Sequence, residues 1–455
     1  MEQSTTKRSS FTGKIGFVLA AAGSAVGLGN IWRFPYLAAK YGGGIFLLVY
    51  VALAVTFGFV LMMAEIAIGR KTGKSAIGAF AALDKRFTFV GWLAAIVPAI
   101  ILPYYSVIGG WVMKYIFGFV SGDGANMATD TYFTNYIGNV WEPIVWFGLF
   151  ILITAIVVFF GVEKGIEKVS KVMMPVLIAF ILFIVIYTLC TLDGALDGVL
   201  YYVTPDFSKF SAMTVVAALG QLFYSMSLAM GIMITFGSYM KKEISIEASI
   251  HQIEIFDTGV AFLSGLMIVP AVFAFSGGNE EALGKGPSLM FVTLPKIFET
   301  MPGGDIIGAL FFIMVFFAAI TSSISLMETI VSIVMDKANL SRRISCIIVF
   351  GGVILLGLPS TLGYSAWSGV KIMGFQFLDF FDFISNSIIM PVIAFITCIF
   401  VGYVIKPKTI IEEVQIGHKP FTSKLFTIVI RYIAPVCIIA ILVSSILDAL
   451  GILKI

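Results

Sequence analysis

Apolar residues run along this chain in blocks of about twenty or more, parted by short joints of charged, polar or glycine residues. Wound as α-helices, blocks of that length match the hydrocarbon thickness of a bilayer. Eleven blocks are read, at 14–39, 42–69, 88–118, 141–160, 167–190, 212–240, 247–275, 303–335, 344–362, 375–404 and 429–452. Several exceed 25 residues, so tilt or extension beyond the lipid is expected. The pattern predicts an all-α integral membrane protein of eleven transmembrane helices, numbered below as spans 1 to 11.

Two spans depart from a plain apolar pattern. Span 1 holds Ala22-Gly23-Ser24-Ala25-Val26-Gly27-Leu28-Gly29-Asn30-Ile31-Trp32-Arg33-Phe34-Pro35, with three glycines, an Asn, an Arg and a closing Pro. A continuous helix in lipid gains nothing from that mixture. A helix broken at mid-membrane frees N–H and C=O groups that can bind a solute, provided they face a protein-lined cavity. Span 6 carries Gln221-Leu222-Phe223-Tyr224-Ser225-Met226-Ser227-Leu228-Ala229-Met230-Gly231, with small and hydroxyl residues at its middle. Spans 1 and 6 are five spans apart and oppositely oriented. Interrupted helices at equivalent places of two halves point to an inverted-repeat transporter with its site at the midplane. The expected organisation is one transporter domain over 1–455: a 5+5 inverted repeat of helices 1–5 (14–190) and helices 6–10 (212–404), then helix 11 (429–452).

Composition supports the class: 59% of the 455 residues are hydrophobic, 12% are charged, and the mean hydropathy is +1.02. The placement of charge says more than its total. Lys7, Arg8 and Lys14 precede span 1; Arg70 to Arg86 after span 2 include five cations; Lys241 and Lys242 follow span 6; Lys337, Arg342 and Arg343 follow span 8. With simple alternation these all fall on one side, which places the N-terminus in the cytoplasm and, with an odd count, the C-terminus outside the cell membrane. The four cysteines follow no metal spacing and read as small packing residues. No P-loop, HExxH or GxSxG is present, so ATP coupling and hydrolytic catalysis are not expected. The expected partners are a small-molecule solute and the bilayer, with no nucleic acid. A channel and a non-transporting sensor are the rival classes.

Read from the residues alone, unwinding near Gly27 to Gly29 exposes N–H groups suited to a carboxylate, and the half ending near Ser24 to Val26 offers carbonyls to a cation or ammonium. Ser225 and Ser227 add hydroxyls from span 6, and span 8 contributes Thr321-Ser322-Ser323. Hard oxygen donors without Cys or His suit an alkali cation. Taken singly, the span 8 hydroxyls read as bonded back to the preceding helical turn.

The chain resembles the neurotransmitter:sodium symporter family, its bacterial amino-acid branch in particular, from Arg8 to about Pro435. The marks are Ala25 to Asn30 with Trp32-Arg33-Phe34-Pro35, Pro103-Tyr104-Tyr105, Gln221 to Ser227, and Thr321-Ser322-Ser323. That family is itself an instance of the inverted-repeat pattern. The resemblance implies sodium-driven amino-acid import by alternating access with two sodium ions. A first sodium would use the Ala25 carbonyl, Asn30, Ser225 and Asp257, completed by the substrate carboxylate. A second would use the carbonyls of Gly23, Val26 and Ala318 with the hydroxyls of Thr321 and Ser322. The carboxylate would rest on the N–H groups of Leu28 and Gly29 and the Tyr105 hydroxyl. The ammonium would face Ala25, Tyr224, Ser225 and Ser227. Ile101, Tyr105, Tyr224, Met230, Ser322 and Leu326 would line the side-chain pocket.

Gly27 stands where monoamine carriers of the family place an Asp, so a substrate bearing its own carboxylate is implied. The lining favours a neutral hydrophobic or aromatic L-amino acid. Ala229 replaces a Gly found in a bacterial leucine carrier, and Asp257 an Asn. Chloride-dependent relatives lack that carboxylate, so chloride-independent transport is expected, with proton countertransport left open. Arg33 with Asp382, bridged by water, and Tyr105 with Tyr224 would form the outer gate. Arg8 with Asp336, and Tyr239, would form the inner one. Glu65 and Glu328 read as hydrogen-bonded structural carboxylates, and His251 as solvated.

Overall fold

The computed structural model describes residues 10–278, 287–416, 423–449 and 452. Among them the only strand-like pairings are two isolated bridges, Gly43 with Pro205 and Ile372 with Phe375; the rest of the regular structure is helix. The all-α reading therefore holds. Among the described residues, nine helices are long and apolar enough to cross a membrane: Gly44–Thr72, Lys85–Val120, Trp141–Phe159, Val162–Thr191, Ile246–Ser276, Gly304–Ala338, Arg342–Leu362, Phe377–Val404 and Ser423–Ala449. Each overlaps a predicted block. The last starts before 429, because Ser423–Ile428 winds straight into the π-helical turn Val429–Ile433.

Spans 1 and 6 are the exceptions. Lys14–Ala25 and Gly29–Lys40 form a pair bent by 57°. Span 6 divides into Ala212–Ser225 and Ile232–Ser238, with residues 226–231 non-helical between them. Neither half is long enough to cross by itself. The eleven-span reading thus becomes nine unbroken helices, one bent pair and a divided sixth segment among the described residues. The backbone supplies the reason. Val26 leaves the helix at φ −71° and ψ 107°. In span 6, Ser227 (φ 53°), Ala229 (φ 59°) and Gly231 (φ 72°) take left-handed conformations. Two of these three carry side chains, so surrounding contacts must hold the segment in place.

The long helix Gly304–Ala338 packs along Lys85–Val120 and Val162–Thr191, and Lys14–Ala25 lies against it. Helix Ile246–Ser276 touches both halves of span 1. The two breaks are thereby enclosed by helices on several sides, as non-helical backbone at membrane depth requires.

After span 10 a short helix, Pro407–Val414, packs against the end of span 2. Arg70 there is 1% exposed at its side chain and Glu413 3%. Arg70 Nε donates to Glu413 Oε1 at 2.8 Å and Nη1 to the Ile244 carbonyl at 2.7 Å. Lys242 Nζ reaches the same Glu413 oxygen at 2.6 Å. One carboxylate thus joins span 2, the joint after span 6 and the helix after span 10. Glu413→Ala leaves Arg70 buried and unpaired, so we expect unfolding stability to fall by about 3–5 kcal/mol. The exposed Lys408–Glu412 pair is the control: Lys408→Ala should change stability by about 0–1 kcal/mol. Thermal and denaturant unfolding in detergent reads both.

Candidate functional site

The two breaks meet at one buried cavity of about 40 Å³. Span 1 gives it Ala25, Leu28 and Gly29; span 3 gives Ile101 and Tyr105. Span 6 gives Tyr224, Ser225, Ser227 and Met230; span 8 gives Ser322 and Leu326. Every residue expected at the substrate site therefore lines the same space. Ser24, Gly27, Asn30 and Ile232 also line it, and of these the sequence reading had not placed Ile232 there.

The freed backbone groups find partners. Ser322 Oγ lies within hydrogen-bond reach of three span 1 carbonyls, Gly23 (3.3 Å), Ser24 (3.1 Å) and Val26 (3.1 Å). Thr321 Oγ1 donates back to Phe317 O at 2.8 Å and to Ala318 O at 3.2 Å. The helix-bonded reading of this hydroxyl thus describes its present contact. Thr321 Cβ would also lie 3.2 Å from a β-carbon placed on Gly23. Ser322 Oγ thus gathers the Gly23, Ser24 and Val26 carbonyls into one oxygen cluster, while Thr321 Oγ1 bonds to Ala318 O on its own helix.

A second cluster lies on the other side of the break. Asn30 Nδ2 donates to Ser225 Oγ at 3.0 Å and to Asp257 Oδ1 at 2.8 Å, and Ser225 Oγ donates to Asp257 Oδ1 at 2.6 Å. Asn30 Oδ1 accepts the Gly27 N–H at 3.0 Å. Tyr50 Oη donates to Asp257 Oδ2 at 3.1 Å. Tyr50 went unnoticed because a Tyr inside an apolar span is an ordinary packing residue until its hydroxyl partner is known.

Two glycines are fixed by close approach. A β-carbon on Gly29 would lie 2.5 Å from the Tyr224 ring. One on Gly27 would lie 3.0 Å from Ser322 Oγ and 3.2 Å from Tyr105 Oη. Leu28 N–H points at Tyr105 Oη, 3.5 Å away.

Three contacts hold the strained loop of span 6. Ser227 Oγ donates to Ser24 O at 2.9 Å and lies 3.1 Å from Ser24 Oγ. Ala229 N–H donates to Glu65 Oε1 at 2.7 Å. Glu65 is therefore the structural carboxylate it was read as, reaching from span 2 into the break.

Toward one end of the cavity Arg33 lies 5.7 Å from the Tyr224 ring centroid. Asp382 accepts from Tyr104 Oη at 3.0 Å and Asn386 Nδ2 at 2.7 Å. No direct ion pair joins Arg33 to Asp382 among the described residues, which leaves room for the expected bridge through water. At the opposite end Phe11 is fully buried, with Phe17, Phe236 and Tyr239 rings 5.6, 5.7 and 6.3 Å away. Tyr239 Oη donates to Glu328 Oε1 at 2.7 Å, and Arg342 grips the same carboxylate. Glu328 is thus hydrogen-bonded as read. Glu167 takes the Thr12 N–H at 2.9 Å and Lys171 Nζ at 2.6 Å. Asp336 accepts the Ser75 N–H at 2.9 Å. Arg8, its expected partner, lies outside the described residues. Glu167 and Arg342 were missed, although an ionisable residue at or inside a span is itself a signal. His251 stacks on Phe59 at 4.7 Å and its Nδ1 lies 3.3 Å from Glu254 Oε2, while the residue stays exposed, as read.

The sequence profile of the sodium:neurotransmitter symporter family matches residues 8–135 and 134–452. An uncharacterized sodium-dependent transporter of Bacillus subtilis, YhdH, is 35% identical over 441 residues, 95% of this chain and 96% of that protein. The sodium- and chloride-dependent taurine transporter of Rattus norvegicus is 26% identical over 473 residues, 91% of this chain and 74% of that protein. Among solved structures, MhsT in complex with L-phenylalanine superposes with a TM-score of 0.87 at 35% identity, covering 96% of this chain and 100% of the other.

Removing the Glu65 acceptor strands the Ala229 N–H inside the bundle. Glu65→Ala should lower unfolding stability by about 1–3 kcal/mol, and Glu65→Gln, which keeps an acceptor oxygen, should restore most of it. Melting of the purified variants in detergent measures both.

Proposed function

We propose, from the premise that the chain belongs to the sodium:neurotransmitter symporter family, that it imports a neutral L-amino acid with a hydrophobic or aromatic side chain, coupled to two sodium ions and independent of chloride. Family membership makes it a multi-pass, sodium-dependent membrane transporter and not an enzyme. The observation that carries the finer reading is the meeting of both helix breaks at one cavity, with an oxygen cluster on either side of it.

In this reading the substrate carboxylate sits on the Leu28 and Gly29 N–H groups and the Tyr105 hydroxyl. Gly27 leaves that seat open, since a side chain there would crowd Ser322 and Tyr105. The ammonium faces the carbonyls of Ala25, Tyr224 and Ser225 and the Ser227 hydroxyl. Ile101, Met230, Ile232 and Leu326 take the apolar side chain. That MhsT binds L-phenylalanine in the same fold supports an aromatic substrate.

The first sodium takes Ala25, Asn30, Ser225 and Asp257 with the substrate carboxylate, so that substrate and ion complete each other's site. Asn30 now presents its amide nitrogen to Asp257; turning the amide presents Oδ1 to a cation. The second sodium takes Gly23, Val26, Ala318, Thr321 and Ser322. Here the Ser322 hydroxyl hydrogen already supplies positive charge to the carbonyls of Gly23 and Val26. A cation replaces it at the same oxygens. Asp257 contributes a fixed negative charge, which removes the need for chloride.

Alternating access follows if spans 1–5 (14–190) and 6–10 (212–404) are inverted repeats that rock about this centre. Arg33, Asp382 and the Tyr105–Tyr224 pair then guard the outer path. Tyr239, Asp336 and Arg8 guard the inner one. The basic loops place the N-terminus in the cytoplasm and the C-terminus outside the cell membrane.

In proteoliposomes, an inward sodium gradient should drive saturable uptake of labelled phenylalanine or leucine, and unlabelled substrate should drive counterflow. Replacing chloride by gluconate should leave the rate unchanged. A large loss on chloride removal refutes the role of Asp257, and binding without counterflow makes the protein a sensor. Gly27→Asp should abolish amino-acid uptake by placing a second carboxylate in the seat.

A further inference from the structure

Between spans 4 and 9 the outer surface of the bundle holds a groove of about 300 Å³, apart from the central cavity. Leu152, Ile156 and Phe159 wall one side; Ile347 and Phe350 wall the other. Cys346, 3% exposed, forms part of its floor. From Leu152 to the end of span 4 the wall runs for about 10–12 Å of helix. Every lining side chain is apolar or a thiol, while Ile347 is 66% exposed.

The groove is charged at one end. Arg343 is exposed, with its guanidinium 5.8 Å from the Phe159 ring centroid, and it joins no salt bridge among the described residues. Its neighbour Arg342 turns inward to Glu328, which holds Tyr239. The first turn of span 9 thus sends one guanidinium to the inner gate and the next to the mouth of an apolar slot. Lys241, Lys242 and Lys337 follow spans 6 and 8 at the same end.

We propose that this groove seats an acyl chain of an anionic membrane phospholipid, with Arg343 pairing the headgroup. The complementarity is that of an amphiphile: a long dry wall for a hydrocarbon tail and a cation where the tail meets water. A spanning helix of a second copy, about 10–12 Å across with its side chains, would meet the groove rim rather than fill the slot. A free anion would use Arg343 and leave the apolar wall bare. The bound lipid braces the start of span 9, and with it the Arg342 contact to Glu328.

The test uses the full chain in nanodiscs of equal palmitoyl-oleoyl phosphatidylglycerol and phosphatidylcholine, without amino acid or sodium, so its outcome is separate from that of the transport assay. Native mass spectrometry after gentle detergent release should find phosphatidylglycerol retained over phosphatidylcholine. Arg343→Gln should cut that preference about fivefold, the weight of one interfacial basic side chain. Ile347→Trp, or Ile156→Trp if the first does not fold, should fill the slot and reduce retention of both lipids. Melting in pure phosphatidylglycerol should exceed that in phosphatidylcholine for the wild type and not for Arg343→Gln. Equal retention of the two lipids by the wild type overturns the proposal. So does a preference that survives both kinds of substitution, displacement of the lipid by glycerophosphate, or disulfide trapping of two copies through Ile347→Cys.

Discussion

Hydrocarbon offers no water to a peptide group, and that constraint organises the whole molecule. A helix meets it by bonding every N–H to a carbonyl one turn away. Where spans 1 and 6 stop winding, the freed groups have to find partners within the protein. They do so because both stops lie at the same depth, walled by spans 3, 7 and 8. Ser322 covers three carbonyls of span 1, Asn30 takes the Gly27 N–H, Gln221 donates to Gly29 O, and Glu65 takes the Ala229 N–H. A site made of borrowed partners can exchange them for ligands at small net cost, since one oxygen-bound proton or cation replaces another.

The carboxylates extend the same logic outward. Asp257, Glu65, Glu328, Glu167 and Glu413 are all nearly inaccessible, and each is met by donors from a different part of the chain. Asp257 joins spans 1, 2, 6 and 7. Glu328 joins the ends of spans 6, 8 and 9. Glu167 ties the entry of span 1 to span 5. Glu413 fastens a surface helix to span 2. A buried charge tolerates little loss of its partners, so these five residues define which helices are held together in this structure.

Much of this was legible in the chain. Block length gave the helices, and loop charge gave their expected polarity. Gly23, Gly27, Gly29 and Asn30 marked the first break, while Ser225, Ser227 and Gly231 marked the second. Its cost is plain only in the backbone, where Ser227 and Ala229 sit in the left-handed region. Other contacts were not legible. That Arg33 lies over Tyr224, and that Tyr104 and Asn386 hold Asp382, could not be read from the chain. Tyr50 and Arg342 gave no sign of their partners, because those partners stand 207 and 14 residues away in the chain.

The sequence by itself determined that this is a helical membrane protein with two interrupted spans and oxygen-rich chemistry at their centres. Those features are local: they depend on composition, period and the conformational freedom of single residues. Tertiary structure alone decided which carboxylate holds which loop, which hydroxyl covers which carbonyl, and that both breaks open on one cavity. Such pairings need side chains from distant spans to come within about 3 Å, and only the packing of whole helices sets distances of that kind.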